Sequence, residues 1–187
     1  MLRLFALLLF TSLSIPVLGQ FRSKLVPAEL ITVGGDTLRG NVRVLRQQDL
    51  FRSPRFVDST GHKQWYYPNE LRGYTVGDQA YRSVKLPGEY YSTFVKVRVA
   101  GKVTLLEALE YPPTDSDPDG RYSNGPSHSK LYLQRGNGEL VWVNIWRFRK
   151  QLKAYFADRP DLGQAIANRT YRYRNLDELV RRYNEGR

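Results

Sequence analysis

Apolar and polar residues alternate along much of the first two thirds of the chain. In the segment Thr37–Leu45, the apolar residues Leu38, Val42 and Val44 fall on one face and polar residues on the other. The segment Phe94–Val99 repeats this pattern with three valines set against two cations. A period of two residues is typical of a half-buried β-strand, so both segments are predicted to be strands with one face on a core.

Turn residues separate these and further strand candidates. Gly34-Gly35-Asp36 precedes Thr37, and Gly101 follows the second alternating segment. Gly136-Asn137-Gly138 separates Lys130–Arg135 from Glu139–Val143. Glycine and Asn or Asp at such points are hairpin signals. The sequence thus predicts about eight short strands in a mainly antiparallel sheet, arranged as a sandwich or a partly open barrel.

The hydrophobic period changes after Val143. Ile145, Phe148 and Leu152 recur at helical spacing, followed by Tyr155 and Phe156. This spacing predicts a helix of about three turns with one apolar stripe on the sheet. Separate β and α blocks favour an α+β fold over a parallel α/β sheet.

One or two further helices are predicted near the C-terminus. Pro160 is suited to the first turn of a short helix. Asn175 with Glu178 matches the capping-box pattern that opens a last helix. The apolar residues assigned to these helices are Leu162, Ile166, Leu176, Leu179, Val180 and Tyr183.

The first nineteen residues have the organisation of a secretory signal peptide. Arg3 precedes the apolar run Leu4–Phe10, and small residues end the segment at Gly19. The apolar run is shorter than the ~20 residues that a membrane anchor needs, so cleavage before Gln20 is predicted, with an uncleaved anchor as the alternative. We expect an exported protein with no transmembrane span after cleavage, located in the periplasm, at the outer membrane or outside the cell.

The exported chain is predicted to be one domain. Residues 20–143 form its β-rich region, and residues 144–187 form a helical region packed on that sheet. The chain has no cysteine, which excludes disulfides, thiol catalysis, thiolate metal sites and lipid attachment at a cysteine. Stability must therefore come from an ordinary hydrophobic core.

Positive charge is concentrated at the C-terminal end. The chain has a net charge of +11, and Arg147–Arg187 contains 11 basic and 5 acidic residues, a local charge of +6. A basic surface attracts polyanions. Export makes nucleic acid an unexpected partner, so an anionic envelope component (lipid phosphate or acidic glycan) or another envelope protein is predicted. A basic surface that only maintains solubility is the alternative.

Four short motifs carry a resemblance to a known family. They are Gly35-Asp36-Thr37-Leu38-Arg39-Gly40, Tyr66-Tyr67-Pro68, Phe94-Val95-Lys96-Val97 and Tyr183-Asn184. Together with the signal peptide, they resemble an uncharacterised family of exported proteins of Gram-negative bacteria. The resemblance covers nearly the whole exported chain and implies a fold and a compartment, with no activity, cofactor or site residues.

The sharpest local motif is an acidic loop. Asp115, Asp117, Asp119 and Gly120 match the opening of a calcium-binding loop. However, Pro126 occupies the position where a bidentate glutamate should close the site. A calcium-stabilised adhesion module is therefore one alternative, beside a solvated acidic loop within the predicted long loop 111–129.

Catalytic groups are sparse. Glu107 and Glu110 lie three residues apart and are candidates for the carboxylate pair of a glycan hydrolase, which needs the two groups ~5–9 Å apart in a cleft. His62 and His128 show no metal-ligand spacing and are predicted to be loop residues. Ser127 and Lys130 form an SxxK match that chance explains better than acyl transfer.

Aromatic residues make up 13% of the chain, enough to line a binding face or to fill a core. Trp142 and Trp146 are predicted to pack in the core, whereas the role of the cluster Trp65–Tyr67 is left open. No catalytic, cofactor-binding or metal-binding residue is assigned. The sequence favours a non-enzymatic interaction or structural module of the cell envelope with a basic helical end.

Overall fold

The computed structural model describes residues 23–110 and 128–186. The predicted signal peptide and the Asp115–Gly120 loop lie outside the described residues. Within the described part, ten strands form one antiparallel open sheet in the order β10-β9-β8-β7-β6-β5-β1-β2-β3-β4. The strands are β1 Lys24–Thr32, β2 Thr37–Val44, β3 Arg55–Val57, β4 Lys63–Trp65, β5 Leu71–Val76, β6 Gln79–Lys85, β7 Ser92–Val99, β8 Val103–Glu110, β9 His128–Arg135 and β10 Leu140–Trp142.

The predicted α+β class is confirmed, with a strand block followed by three helices. The sheet is open, with β10 and β4 at its edges, and is not split into two layers of a sandwich. The described part of the chain has ten strands, against a predicted count of about eight. The short strand β10 lies within the predicted strand candidate Glu139–Val143.

The helices are α1 Phe148–Tyr155, α2 Pro160–Ala167 and α3 Leu176–Glu185, with short 3₁₀ helices at Gln47–Phe51 and Tyr173–Asn175. Two details of the helix predictions were wrong. Helix α1 begins at Phe148, so Ile145 precedes it and is exposed. The predicted capping box of α3 does not form, because the Asn175 side chain accepts a hydrogen bond from the Arg172 backbone N–H and donates one to Glu178.

An aromatic core lies under the centre of the sheet. Tyr74 stacks on Tyr81 at a centroid distance of 4.9 Å and meets the edge of Phe94 at 5.0 Å. The 3₁₀ helix after β2 adds Leu50 and Phe51 to this cluster, and the Tyr74 hydroxyl donates to the Leu50 carbonyl. Burial raises the pKa of Tyr81 to about 12, so this cluster stays uncharged at ordinary pH.

A second core joins the helices to the β8–β9 end of the sheet. Its sheet residues come from β7–β9 and the start of the connection to α1, and its helical residues come from α1, α2 and α3. The cluster comprises Val99, Val103, Leu105, Leu131, Leu133, Val143, Phe148, Leu152, Phe156, Leu162, Ile166, Tyr171, Leu176, Leu179, Val180 and Tyr183. The predicted apolar faces of α2 and α3 are therefore confirmed as buried.

The last turn of α3 is attached to the β7–β8 hairpin through Asn184. Its side-chain oxygen accepts from the Val103 backbone N–H at 2.9 Å, and its amide donates to the carbonyls of Val103 at 2.8 Å and Ala100 at 3.3 Å. A Cβ at Gly101 would lie 2.3 Å from the Asn184 amide nitrogen. Glycine is therefore required in this turn for the close approach of the helix.

A polar cluster fixes the other side of the helical region. The Tyr183 hydroxyl donates to Asp158 at 2.6 Å, and Arg135 of β9 contacts the same carboxylate at 3.2 Å. Hydrogen bonds lower the pKa of Asp158, with the larger effect from Tyr183 and the smaller from Arg135. On strand β7, Arg98 binds Asp177 of α3 at 2.9 Å. Helices and sheet thus share paired charges as well as the apolar core.

No helix in the described ranges has both the length and the apolar composition needed to cross a bilayer.

Candidate anion-binding groove

The two glutamates considered for glycan hydrolysis are not brought together. Both lie on β8, three residues apart, so alternation places them on opposite faces of the sheet. Glu107 faces the helices and lies 3.5 Å from Arg98. Glu110 faces the other side and pairs with Lys130 of β9. Each carboxylate is neutralised by a cation, and the pair has no shared cleft.

The two histidines and the SxxK match also form no site among the described residues. His62 lies in an exposed turn, 4.0 Å from the Asp58 carboxylate. His128 was predicted to be a loop residue, but it begins strand β9 and is exposed there. Lys130 of the SxxK match is engaged by Glu110, and Ser127 lies outside the described residues. Over residues 23–110 and 128–186, no group of three His, Asp or Glu side chains is placed to hold a metal ion.

The core assignment of two tryptophans was wrong. Trp142 ends the edge strand β10 and is 44% exposed, with the Lys130 ammonium 5.0 Å from its ring centre. Trp146 is 93% exposed. The reason is that β10 ends at Trp142 and α1 begins only at Phe148, so Trp146 belongs to the apolar face of neither element. In the cluster Trp65–Tyr67, Tyr66 packs against Phe56, whereas Trp65 and Tyr67 are exposed.

Trp146 lies at an open groove between the β10–α1 connection and the segment that follows α2. The groove has a volume of about 520 Å³. Its lining residues are Ile145, Trp146, Arg147, Phe148, Arg149, Lys150, Arg169, Tyr171, Arg172 and Tyr173. We call these residues the basic groove. They include five cations and no acidic residue.

The floor of the basic groove is buried and its rim is exposed. Phe148 and Tyr171 are buried in the helical core, and the Tyr173 ring meets Phe148 at 6.1 Å. Burial raises the pKa of Tyr173, so this phenol stays neutral beside the cations. All five cationic side chains at the rim are exposed. The groove therefore presents positive charge over an aromatic base.

The cations of the groove are not neutralised by acidic residues of the described part of the chain. Asp158, Asp161 and Asp177 pair with arginines away from the groove, at 3.2, 2.9 and 2.9 Å. Within the described part of the chain, by contrast, no ion pair involves a cation of the basic groove. Three aspartates of the C-terminal region therefore compensate arginines outside the groove, whereas the groove gathers five described cations without an ion pair. The five groove cations are Arg147, Arg149, Lys150, Arg169 and Arg172.

A hydrogen-bonded turn fixes the backbone that carries Trp146. The Asn144 side-chain oxygen accepts from the N–H groups of Trp146 at 2.8 Å and Arg147 at 3.3 Å. The Gln151 side chain closes the turn, accepting from the Asn144 N–H at 2.9 Å and donating to the Trp142 carbonyl at 2.5 Å. Trp146 is thus held out from the surface by an ordered Asx turn.

Two local arrangements at the groove oppose ordinary stability preferences. The first turn of α1 carries cations and no acidic residue, the reverse of what the helix dipole favours. Among the described non-glycine residues, Arg169 alone has a positive φ, of 61°. It occupies the left-handed position after α2, where the Thr170 and Arg169 N–H groups bond the Ala165 and Ile166 carbonyls. Glycine is the usual residue there, and a side chain costs roughly 1–2 kcal/mol.

Sequence reasoning identified the basic region but not the groove. The +6 charge of Arg147–Arg187 pointed to this end of the chain. It did not show that acids and cations separate spatially, because that depends on which arginines reach which aspartates. The available signal was the spacing itself, since three cations follow the tryptophan within Trp146–Lys150. Comparisons with protein-family models, curated proteins and solved structures gave no match to this chain.

Proposed function

We propose that the protein is an exported, non-enzymatic module of the cell envelope that binds an anionic envelope component through the basic groove. The observation that carries this proposal is the clustering of positive charge: five exposed cations and no acidic residue line the groove, while Arg98, Arg135 and Arg159 pair with aspartates. Arginine predominates among them, and its planar fork matches phosphate and carboxylate groups.

Two features of the groove that lower the stability of the fold support the same interpretation. Cations at the start of α1 and a strained Arg169 both cost folding free energy, and both lie at the groove. Residues that break local preferences without a compensating contact within the fold are most often retained for function. Binding of an anion would supply the missing compensation.

Three cations on one wall of the groove are expected to contribute to binding of an anionic surface. The combined variant Arg147→Gln, Arg149→Gln and Lys150→Gln should weaken binding to vesicles or polysaccharides carrying negative charge. At about 1 kcal/mol per cation near an anionic surface, the expected loss is roughly 100-fold at low salt. Folding should be unaffected or slightly improved, because these exposed side chains oppose the helix dipole. Affinity would be measured by co-sedimentation at two salt concentrations.

The matched control removes the same amount of charge elsewhere. Lys24, Lys63 and Lys85 are exposed and lie on strands β1, β4 and β6. Changing all three to glutamine should reduce affinity by less than about 5-fold, since long-range attraction is screened by salt. Equal losses in the two triple variants would mean that only net charge matters and would overturn the proposal. Absence of salt-sensitive binding to any anionic partner would do the same.

A further inference from the structure

We infer that the anionic partner is the surface of a phospholipid bilayer, with lipid phosphates at the groove cations and Trp146 and Ile145 inserted between the headgroups. This inference rests on the proposed function and specifies its ligand. Apolar side chains lie at the groove rim beside the cations. Trp146 is 93% exposed and Ile145 is 58% exposed, although both adjoin cations.

Trp146 and Ile145 are adjacent in the sequence, and both are exposed rather than packed in the core. Trp146 makes no ring–ring or cation–π contact with any other described residue. By contrast, the Trp142 ring has the Lys130 ammonium 5.0 Å from its centre, and the Trp65 ring has the Arg55 guanidinium at 5.7 Å. Tryptophan usually buries most of its large surface. Trp146 is held outward by the Asn144 turn, so its exposure is built into the backbone.

The combination of residues distinguishes a bilayer from an acidic glycan. A sugar ring stacks on tryptophan, but a hydrated glycan chain offers no apolar phase for a branched aliphatic side chain. The bilayer interface offers both environments, since indole rings favour the headgroup level and aliphatic groups favour the acyl boundary. Cations flanking an apolar tip then contact the phosphates around the insertion point.

The geometry of the groove fits a flat partner. The groove is open, and its five cations are exposed on both of its walls, with Arg147, Arg149 and Lys150 on one side and Arg169 and Arg172 on the other. An extended surface reaches both walls at once, and several headgroup contacts add up. Attachment to the bilayer is therefore peripheral, through the loop that carries Trp146 and the two basic walls of the groove.

The test uses vesicles of phosphatidylglycerol and phosphatidylcholine. Trp146→Ala should lower partitioning onto the anionic vesicles by at least about 10-fold, because burying ~60 Å² of apolar ring surface corresponds to that factor. Trp65→Ala, which removes an exposed tryptophan from β4, should change partitioning by less than about 2-fold. The melting curve of Trp146→Ala should match that of the wild-type protein, since Trp146 is 93% exposed, and the melting temperature of Trp65→Ala should fall only slightly, since Trp65 is 53% exposed.

Fluorescence locates the inserted ring. Lipids brominated in the acyl chain should quench the emission of the bound wild-type protein and of Trp65→Phe, and should fail to quench Trp146→Phe. The bilayer inference is overturned if Trp146→Ala binds like wild type and bromine does not quench. In that case, retained sensitivity to the triple cation substitution and competition by a soluble acidic polysaccharide would leave the proposed function standing, with a glycan as partner. Loss of all salt-sensitive binding would overturn both.

Discussion

Replacing Asn184 by alanine is expected to lower the free energy of unfolding by about 2–3 kcal/mol. The change removes three hydrogen bonds between α3 and the β7–β8 hairpin and leaves the Val103 N–H and carbonyl without their partner. An unsatisfied buried backbone group costs about 1–3 kcal/mol. For a chain of this size, the melting temperature should fall by roughly 5–10 °C. Thermal and urea unfolding would measure the effect.

The control is a second asparagine near a helix end. Asn168 follows α2, its side chain is exposed, and Asn168→Ala should change stability by less than about 0.5 kcal/mol. Asn184→Asp keeps an acceptor for the Val103 N–H but loses the amide donor, so it should be intermediate or worse. If Asn184→Ala and Asn168→Ala unfold alike, the attachment of α3 through this side chain is not a stabilising feature.

Replacing Arg169 by glycine is expected to stabilise the fold and weaken binding at the same time. Glycine relieves the left-handed backbone after α2, for a gain of about 0.5–1 kcal/mol after its greater unfolded-state entropy is counted. The same change removes one cation from the groove, which should weaken binding to anionic vesicles about 5-fold. Unfolding curves measure the change in stability, and co-sedimentation of the same preparation measures the change in affinity.

Arg169→Lys separates the two effects. It keeps the cation and the strained backbone, so stability and affinity should both stay close to those of the wild-type protein. A glycine variant that gains stability without losing affinity would show that Arg169 has no part in binding. A glycine variant that loses stability would show that the Arg169 side chain has a structural role that its exposed position does not indicate.

Much of the fold follows from local sequence patterns. Alternation in Thr37–Leu45 and Phe94–Val99 corresponds to β2 and β7, and Pro160 opens α2 as predicted. In β2, alternation works because one face of the strand packs on a core. In β7 both faces are covered, since Phe94 and Val95 are buried in different clusters. The motif around Gly40 also has a structural reason, since a Cβ at that position would lie 2.5 Å from the Phe56 ring. In this structure, Gly40 and the Tyr183-Asn184 pair serve packing and helix attachment.

Much less of the candidate site than of the fold could be predicted from the sequence. Helical spacing wrongly included Ile145 in α1, because an apolar residue beside a helix is indistinguishable by period from one inside it. A core position was the natural assignment for Trp146, since tryptophan is usually buried. The groove itself joins Trp146–Lys150 to Arg169–Tyr173, and only the packing of α1 against α2 brings these segments together.

Amide hydrogen exchange of the complete exported protein, with and without phosphatidylglycerol vesicles, tests the central claim most directly. The two segments that line the groove, residues 145–150 and 169–173, should exchange more slowly when vesicles are present, and 500 mM salt should abolish the protection by screening the charges. The opposite end of the sheet, residues 63–67 at β4, should be unchanged. Protection confined to β4, or spread evenly over the surface, would contradict the assignment of the basic groove as the binding site.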